Sequence, residues 1–548
     1  MPHDFTSPLL LVVGSLNGKP VFVSGGTDAH THAPVAGVAS ALLSSFEQQH
    51  EGPISAAGGI GGGGGDSSDA TPPGALRYAR VGDVALAFLK RGVLWYVCAH
   101  DASLPLPAHR CLALVHAALL MQLTNQFEVI AARKPTFDVS RTLDGLAPSI
   151  DGLWRSTCRD PGWHTGTFAV APVPSATVRR RLIASLSGAR SDAAAERLVA
   201  AAPRAPEDAG SIALLRAALL ESSGEDDDAS LALGLLVDSR TGGVLALAQN
   251  PRMCGRGKKL GWHPDDVQLV CHHVAGMRWR LDAETSGVHH EQPTEFRDPL
   301  RDHLMPICLP YTLGPNAYAH ALVAFLPASG GDGNDVDGGG SHGEGVVLVL
   351  VSTDAASFPA LRRRRLYVHA ALEAPMDGAS GLSNAFDELW GRRRGAQATS
   401  CLENGMGMYV RPTIDQHLLV SAGDYVGEEA ASALMAARRM MKDPIERGAN
   451  APSDALRRAD PERADGPPGA DPMRVVWNVD SKTCALACVG EGFEATIVLP
   501  PSTEQATAVA LCNRFVAWAK AEERRSLLAP AALSDAGALA PNGAVLWE

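Results

Sequence analysis

The strongest constraint on the fold of this chain is one order of elements that its hydrophobic pattern carries three times. Leu9–Val13 and Pro20–Ser24 are apolar runs on either side of Asn17-Gly18, a dipeptide that supplies the positive φ a tight hairpin needs. A helix from about Pro34 to Glu47 follows. Strands are expected near Leu76–Val81, Val84–Lys90 and Val93–Ala99, then a long helix from Ala108 to Arg133. That helix sets Leu120, Leu123, Phe127 and Ile130 on one stripe.

The order returns with a hairpin, Leu231–Val237 and Gly243–Ala248, across Thr241-Gly242. In the helix after it, His263–Val274, Pro264 takes the first position and Asp265 and Asp266 complement the dipole. Val267, Val270, Cys271 and Val274 form its apolar face. Strands at Met305–Leu309, Ala317–Leu326 and Val346–Ser352 precede a helix from Ala355 to Leu372. A fainter third copy places a hairpin around Trp390–Cys401, a helix at Gly427–Met441 and strands at Arg474–Val479, Thr483–Val489 and Phe493–Leu499. Ser502-Thr503-Glu504-Gln505 has the spacing of a capping box, opening a helix with Ala508, Leu511, Phe515 and Trp518 on one face.

Two strands, a helix, three strands and a helix make an α+β layer: a five-stranded antiparallel sheet flanked by helices. A chain of 548 residues also exceeds the roughly 250–300 residues that one core sustains. The expected domains are 1–165, 166–375 and 376–548. Polar Gly-, Asp- and Pro-rich stretches at 51–74, 327–345 and 442–471 interrupt them and read as flexible insertions.

The net charge of −12 argues against nucleic acid as the main partner, which needs a concentrated positive field. The short basic runs Arg179–Arg181, Arg362–Arg365 and Arg392–Arg394 leave room for local contact with an anionic membrane surface. Ten cysteines without a CxxC pair read as reduced thiols of a cytosolic protein. Cys484 and Cys488, four apart on a strand, would stand about 13 Å from each other. The apolar run Leu9–Val13 is too short for a signal peptide, and no stretch approaches the roughly 20 apolar residues of a membrane span. A soluble protein is expected.

Chemical motifs fare poorly. GSLNGKP at Gly14 lacks the glycine spacing of a phosphate loop, and Pro20 stands where a magnesium-binding hydroxyl belongs. Asp332–Gly338 resembles a calcium loop, but Val336 occupies a ligand position. His272-His273 and His289-His290 are adjacent pairs, whose members diverge by about 100° on a helix and cannot share an ion. His272 and His273 are read as starting a solvent-facing side. In LMPICLPYT, Cys308 sits in the alternation of a core strand, where a buried, inert thiol is expected; a metal- or thiol-dependent enzyme using Cys308 and the histidines is the rival. No nucleophile elbow or zincin helix occurs, so no catalytic residue, metal or cofactor is expected.

Four stretches fall in a telling order: FDVSRTLDG (Phe137–Gly145), WHPDDVQLV (Trp262–Val270), MPICLPYTLGPNAYAH (Met305–His320) and VLVSTDAASF (Val349–Phe358). With LVVGSLNGKPVFVSGG at the start and VAWAKAEERRSLL near the end, they resemble the SAND/Mon family, the Mon subunits of Mon–Ccz guanine nucleotide exchange complexes. The resemblance covers nearly the whole chain. It implies three tandem longin domains and a heterodimer with a Ccz-like longin subunit. It implies activation of the Rab GTPase of late endosomes and vacuoles, and peripheral recruitment from the cytoplasm to phosphoinositide-bearing membrane. The first longin domains of the two subunits would pair and form the exchange surface. By region, this would use Lys19, Pro20, Phe22 and Ser24 of the first hairpin and Ser44, Ser45 and Glu47 of the first helix. A related longin complex serving another Rab, on lysosome-related organelles or in ciliogenesis, is the alternative. The chain differs from the family in lacking a long acidic N-terminal extension, in its three insertions, and in Tyr311-Thr312, where relatives often continue Lys/Ser-Phe-Asn.

Overall fold

A computed structural model describes residues 8–14, 20–25, 37–39, 41–43, 45, 76–104, 106–134, 137, 139–170, 182, 186, 231–238, 242–249, 263–286, 302–327, 345–373, 402, 404–412, 416–421, 428–442, 474–490 and 492–526. The chain divides into two units, Met1–Asp160 and Pro161–Glu548.

In the first unit β1 (Leu9–Gly14), β2 (Pro20–Val23), β3 (Tyr78–Val81), β4 (Val84–Arg91) and β5 (Leu94–Asp101) form an antiparallel sheet in the order β2-β1-β5-β4-β3. β2 is an edge strand, so Pro20, which has no N–H to donate, can begin it. The sheet is apolar on both faces. Leu11, Val13, Val23, Phe88, Trp95 and Val97 pack with Ala39 and Leu43, which lie among the helical residues 37–39, 41–43 and 45. The alternate residues Leu10, Val12, Tyr96 and Cys98 have no solvent exposure, as the two-residue period of a doubly covered strand requires. On that side the Tyr96 hydroxyl meets His116 Nδ1 at 3.1 Å, on α1 (Ala108–Leu123). α2 (Gln126–Arg133), α3 (Val139–Asp144) and α4 (Ala147–Arg159) complete the unit.

The long helix expected over 108–133 is two helices. Thr124, with φ at 58°, ends α1, and α2 restarts at Gln126. Thr124 and Asn125 hold neighbouring backbone more readily than they extend a helix. The apolar stripe therefore stops at Phe127, and Ile130 is 40% exposed.

The second unit holds two sheets. β7 (Leu231–Asp238), β8 (Val244–Gln249), β9 (Asp302–Cys308), β10 (Tyr318–Pro327) and β11 (Gly345–Ser352) are ordered β8-β7-β11-β10-β9. Val346–Val351 are all buried, because β11 is central and covered on both faces. Leu361 and Val368 of α6 (Phe358–Glu373) join the core of this sheet. The third sheet contains β12 (Met406–Arg411), β13 (Gln416–Ser421), β14 (Arg474–Val479), β15 (Cys484–Gly490) and β16 (Phe493–Leu499), with β14-β15-β16-β12-β13 as neighbours. Its core faces α7 (Glu428–Lys442), through Ala430, Ala433, Leu434 and Ala437.

Numbered from one within each sheet, the antiparallel strands run 2-1-5-4-3 in all three. Helical residues lie between the second and third strands each time: 37–39, 41–43 and 45 in the first sheet's unit, then α5 (Pro264–Ser286) and α7. Another follows the fifth strand: α1, α6 and α8 (Gln505–Ser526).

A short parallel strand, β6 (Phe168–Ala169), adds to the open edge of β13, pairing Phe168 with Gln416 and Ala169 with His417. Val170 then bridges in parallel to Val244 of β8. One segment therefore closes the second-strand edges of both sheets in this unit.

Two details of the third copy differ from the sequence reading. The hairpin is β12–β13 at 406–421, whereas Trp390–Cys401 lies outside the described residues. α8 begins at Gln505, two residues beyond the start the capping box at Ser502 implies, and it buries Ala508, Cys512, Phe515 and Ala519 in place of Leu511 and Trp518. Gly407 sets this close approach: a Cβ there would stand 3.0 Å from the Phe515 ring and 2.6 Å from Leu402.

Candidate interaction surface

The first hairpin is held by its own unit. The Ser24 hydroxyl accepts the Leu10 N–H at 2.9 Å, and Ser24 N donates back to Leu10 O at 2.9 Å. Gly25 N donates to Asp151 Oδ1 at 2.8 Å, while the Trp154 indole N–H reaches Pro8 O at 2.9 Å, so α4 buttresses both ends of the hairpin. Phe22 and Ser24 are each 8% exposed and face this chain's own interior. Pro20 is half-buried, and Ser45 is exposed. Lys19, Ser44 and Glu47 lie outside the described residues. Of the described candidates, the surface keeps Pro20 and Ser45.

Sequence reasoning missed two neighbours of Ser45. Val38, at 59% exposure, and Ala41 are also exposed, at helical spacing with it, while Ala39 and Leu43 point to the sheet. No charged side chain occurs between Pro34 and Ser45. The signal was there: an amphipathic helix whose outer face carries small residues without charge does not gain solubility from that face.

The stretches WHPDDVQLV and MPICLPYTLGPNAYAH meet in a joint of the second unit. Asp266, fully buried in the first turn of α5, accepts the backbone N–H groups of Thr312 at 2.6 Å and Tyr311 at 3.1 Å with Oδ2. His263 N donates to the Thr312 hydroxyl at 3.0 Å, and the His263 ring stacks on Tyr311 at 4.8 Å. Burial raises the Asp266 pKa to about 7 against the lowering effect of the Thr312 and Tyr311 hydrogen bonds. Asp265 and Asp266 thus do more than complement the helix dipole: both are buried.

Cys308 ends β9 with no exposure, its thiol directed at the carbonyls of Gly314 (3.6 Å) and Pro315 (3.8 Å). Desolvation moves its pKa up to about 12, the opposite of an activated nucleophile. His303 is five residues away on the same strand, about 16 Å by strand rise and on the other face. His289 and His290 lie outside the described residues. His272 and His273 do not begin a solvent-facing side. His273 is 6% exposed, and His272 packs edge-on against Trp163, in the turn at residues 161–164, at 6.0 Å. Gln268 also donates to Gly162 O at 3.1 Å.

GSLNGKP joins two antiparallel strands, not a strand and a helix, which removes the phosphate-loop geometry. Asp332–Gly338 lies outside the described residues. VLVSTDAASF forms a cap, with Asp354 Oδ1 accepting Ala356 N at 2.9 Å just before α6. Within the run Arg362–Arg365, Arg362 and Arg365 both pair with Asp302 Oδ atoms at 3.0 Å, so part of its charge is neutralised inside the sheet-helix contact. No group of three or more His, Cys, Asp or Glu positioned to hold a metal occurs among the described residues. No helix among them is long and apolar enough to cross a membrane.

These features define an α+β protein with three sheets whose five antiparallel strands share one order. The sequence matches no protein-family model and no curated protein.

Proposed function

We propose that this chain is a Mon-like subunit of a heterodimeric guanine nucleotide exchange factor for the late-endosomal or vacuolar Rab GTPase. The observation that carries the reading is the 2-1-5-4-3 strand order, repeated three times with the same two helix positions, which fits three longin domains in tandem. The stretches that resemble the SAND/Mon family support it by acting as packing joints: Asp266 with Tyr311 and Thr312, and the Asp354 cap.

Exchange needs no acid–base chemistry. A protein that binds the nucleotide-free GTPase more tightly than the loaded form must lower nucleotide affinity by the same factor. The uncharged exposed residues Val38 and Ala41 are where a Ccz-like longin subunit packs, and Pro20 and Ser45 border the surface offered to the GTPase. Recruitment to phosphoinositide-bearing membrane is peripheral.

The test is co-expression with a Ccz-like longin protein, followed by release of a fluorescent nucleotide from the late-endosomal Rab. A stable heterodimer that accelerates release is expected. A heterodimer without acceleration on any of a panel of Rabs, or no heterodimer, rejects the reading.

A further inference from the structure

The third sheet brings two thiols together that the sequence separates. Cys488 on β15 and Cys512 on α8 place their sulfurs 3.8 Å apart. Cys512 is 3% exposed, while Cys488 is only partly buried, so one thiol of the pair is open to a small reagent and the other waits behind it. The surroundings favour a thiolate at the outer position. The hydrogen-bond contact with Cys512, in which either sulfur could donate, the Ala495 backbone opposite and the nearby Lys520 ammonium together hold the Cys488 thiol below its ordinary range. Sharing with Cys488 and burial push Cys512 up. Lys520 is fixed there by its cation–π contact with Phe493, 4.4 Å from the ring centroid.

Among the other described cysteines, Cys98 and Cys111 have no exposure, Cys271 and Cys308 are raised to about 12 by burial, and Cys484 is raised to about 11. Cys158 is also only partly buried and hydrogen-bonds Cys111, but burial and those neighbours push its thiol up, where that of Cys488 is pulled down. Cys484 and Cys488, the pair the sequence singled out, belong to one strand; the true partner of Cys488 comes from the helix above it.

We propose that Cys488 and Cys512 form an oxidisable dithiol, a modification site for hydrogen peroxide, that closes to a disulfide and fastens α8 to its sheet. The Cys488 thiolate attacks one peroxide oxygen, the O–O bond breaks, hydroxide leaves, and Cys488 becomes a sulfenic acid. The Cys512 sulfur then attacks the Cys488 sulfur, the S–O bond breaks, and the leaving hydroxide takes up the thiol proton as water. Two thiols and one peroxide give one disulfide and two waters, the sulfurs losing the two electrons that the peroxide oxygens gain. A small dithiol reductant reverses the step by attack on the more accessible Cys488 sulfur. In a reducing compartment the pair rests as thiols and closes only under peroxide.

The test treats the native full-length chain with low hydrogen peroxide, blocks remaining thiols with an alkylating reagent, and maps peptides by mass spectrometry. A Cys488–Cys512 crosslinked peptide, lighter by two hydrogens and lost on reduction, is expected before any other cysteine is oxidised. In Cys512→Ser the crosslink vanishes and a sulfenic acid trapped by a dimedone-type probe appears at Cys488; Cys488→Ser gives neither product. The wild-type mapping stands even if a variant fails to fold. Full alkylation of both thiols after peroxide, or preferential oxidation of other cysteines, overturns the proposal.

Discussion

Asp266 is a carboxylate on which burial and hydrogen bonding pull in opposite directions. The N–H groups of Tyr311 and Thr312 favour its charge, but desolvation wins and sets its pKa near 7, well above the ordinary 3.8. The folded state therefore binds this proton more tightly than the unfolded chain. Its contribution to stability is full below about pH 4 and is lost as pH rises through about 7. Asp266→Asn should remove this slope, visible as a flatter dependence of the urea midpoint on pH between 4 and 7. Asp266→Ala, which strands two backbone donors, should lower stability by about 1–3 kcal/mol at pH 6 in the same assay. The sequence placed Asp266 correctly at a helix start but could not show what it caps, since Thr312 is 46 residues away. Cys308 was legible as inert core from its apolar alternation alone.

Between elements, one ion pair adds to the apolar packing of α7 on β16. Arg438 offers Nε and Nη2 to Glu494 Oε2 at 3.0 and 2.8 Å, with both side chains at or below 12% exposure. Removing one partner leaves a charge without its counter-ion in the interior. Arg438→Ala or Glu494→Ala should each cost about 3–5 kcal/mol, whereas the double change Arg438→Met with Glu494→Leu should restore most of the loss. A double-mutant cycle on the thermal unfolding midpoint decides this: additive single and double losses would show that the two charges do not interact. Helix spacing made α7 legible, and a residue that looks like part of its solvated face, Arg438, is 6% exposed because the sheet lies against it. The same cause displaced the buried stripe of α8 by one residue. Apolar spacing is satisfied by Leu511 and Trp518, but the sheet beneath meets Cys512 and Ala519.

At the scale of the whole molecule, the second unit depends on residues 167–170. Thr167 Oγ1 meets His417 Nδ1 at 2.9 Å, and Val170 N donates to His417 O at 3.2 Å, so His417 secures the added strand by side chain and backbone. Val170→Pro removes that donor and should lower the stability of this unit by about 1–3 kcal/mol, read from its urea unfolding curve, where Val170→Ala costs less. Burial, with Arg438 nearby, lowers the His417 pKa from 6.5 to about 4, so the unfolded chain binds this proton first. Stability from a neutral His417 is full above about pH 6.5 and falls as pH drops through 4. His417→Gln, which retains a partner for Thr167, should reduce the acid sensitivity in that window, measured as the change of midpoint from pH 7 to pH 4.5. An unchanged profile would assign the acid sensitivity to other groups.

By itself, the sequence determined the α+β class, most strands and helices, and the threefold order. Apolar period and turn residues act over a few neighbours and are written locally. Only the tertiary structure decided the common 2-1-5-4-3 arrangement and the parallel insertion of residues 168–170 between two sheet edges. It also decided which of Phe22, Ser24, His273 and Arg438 turn inward, and the meeting of Cys488 with Cys512. Each depends on contacts between segments distant along the chain, where burial is set by what lies opposite and the periodicity of one element carries no record of its partner.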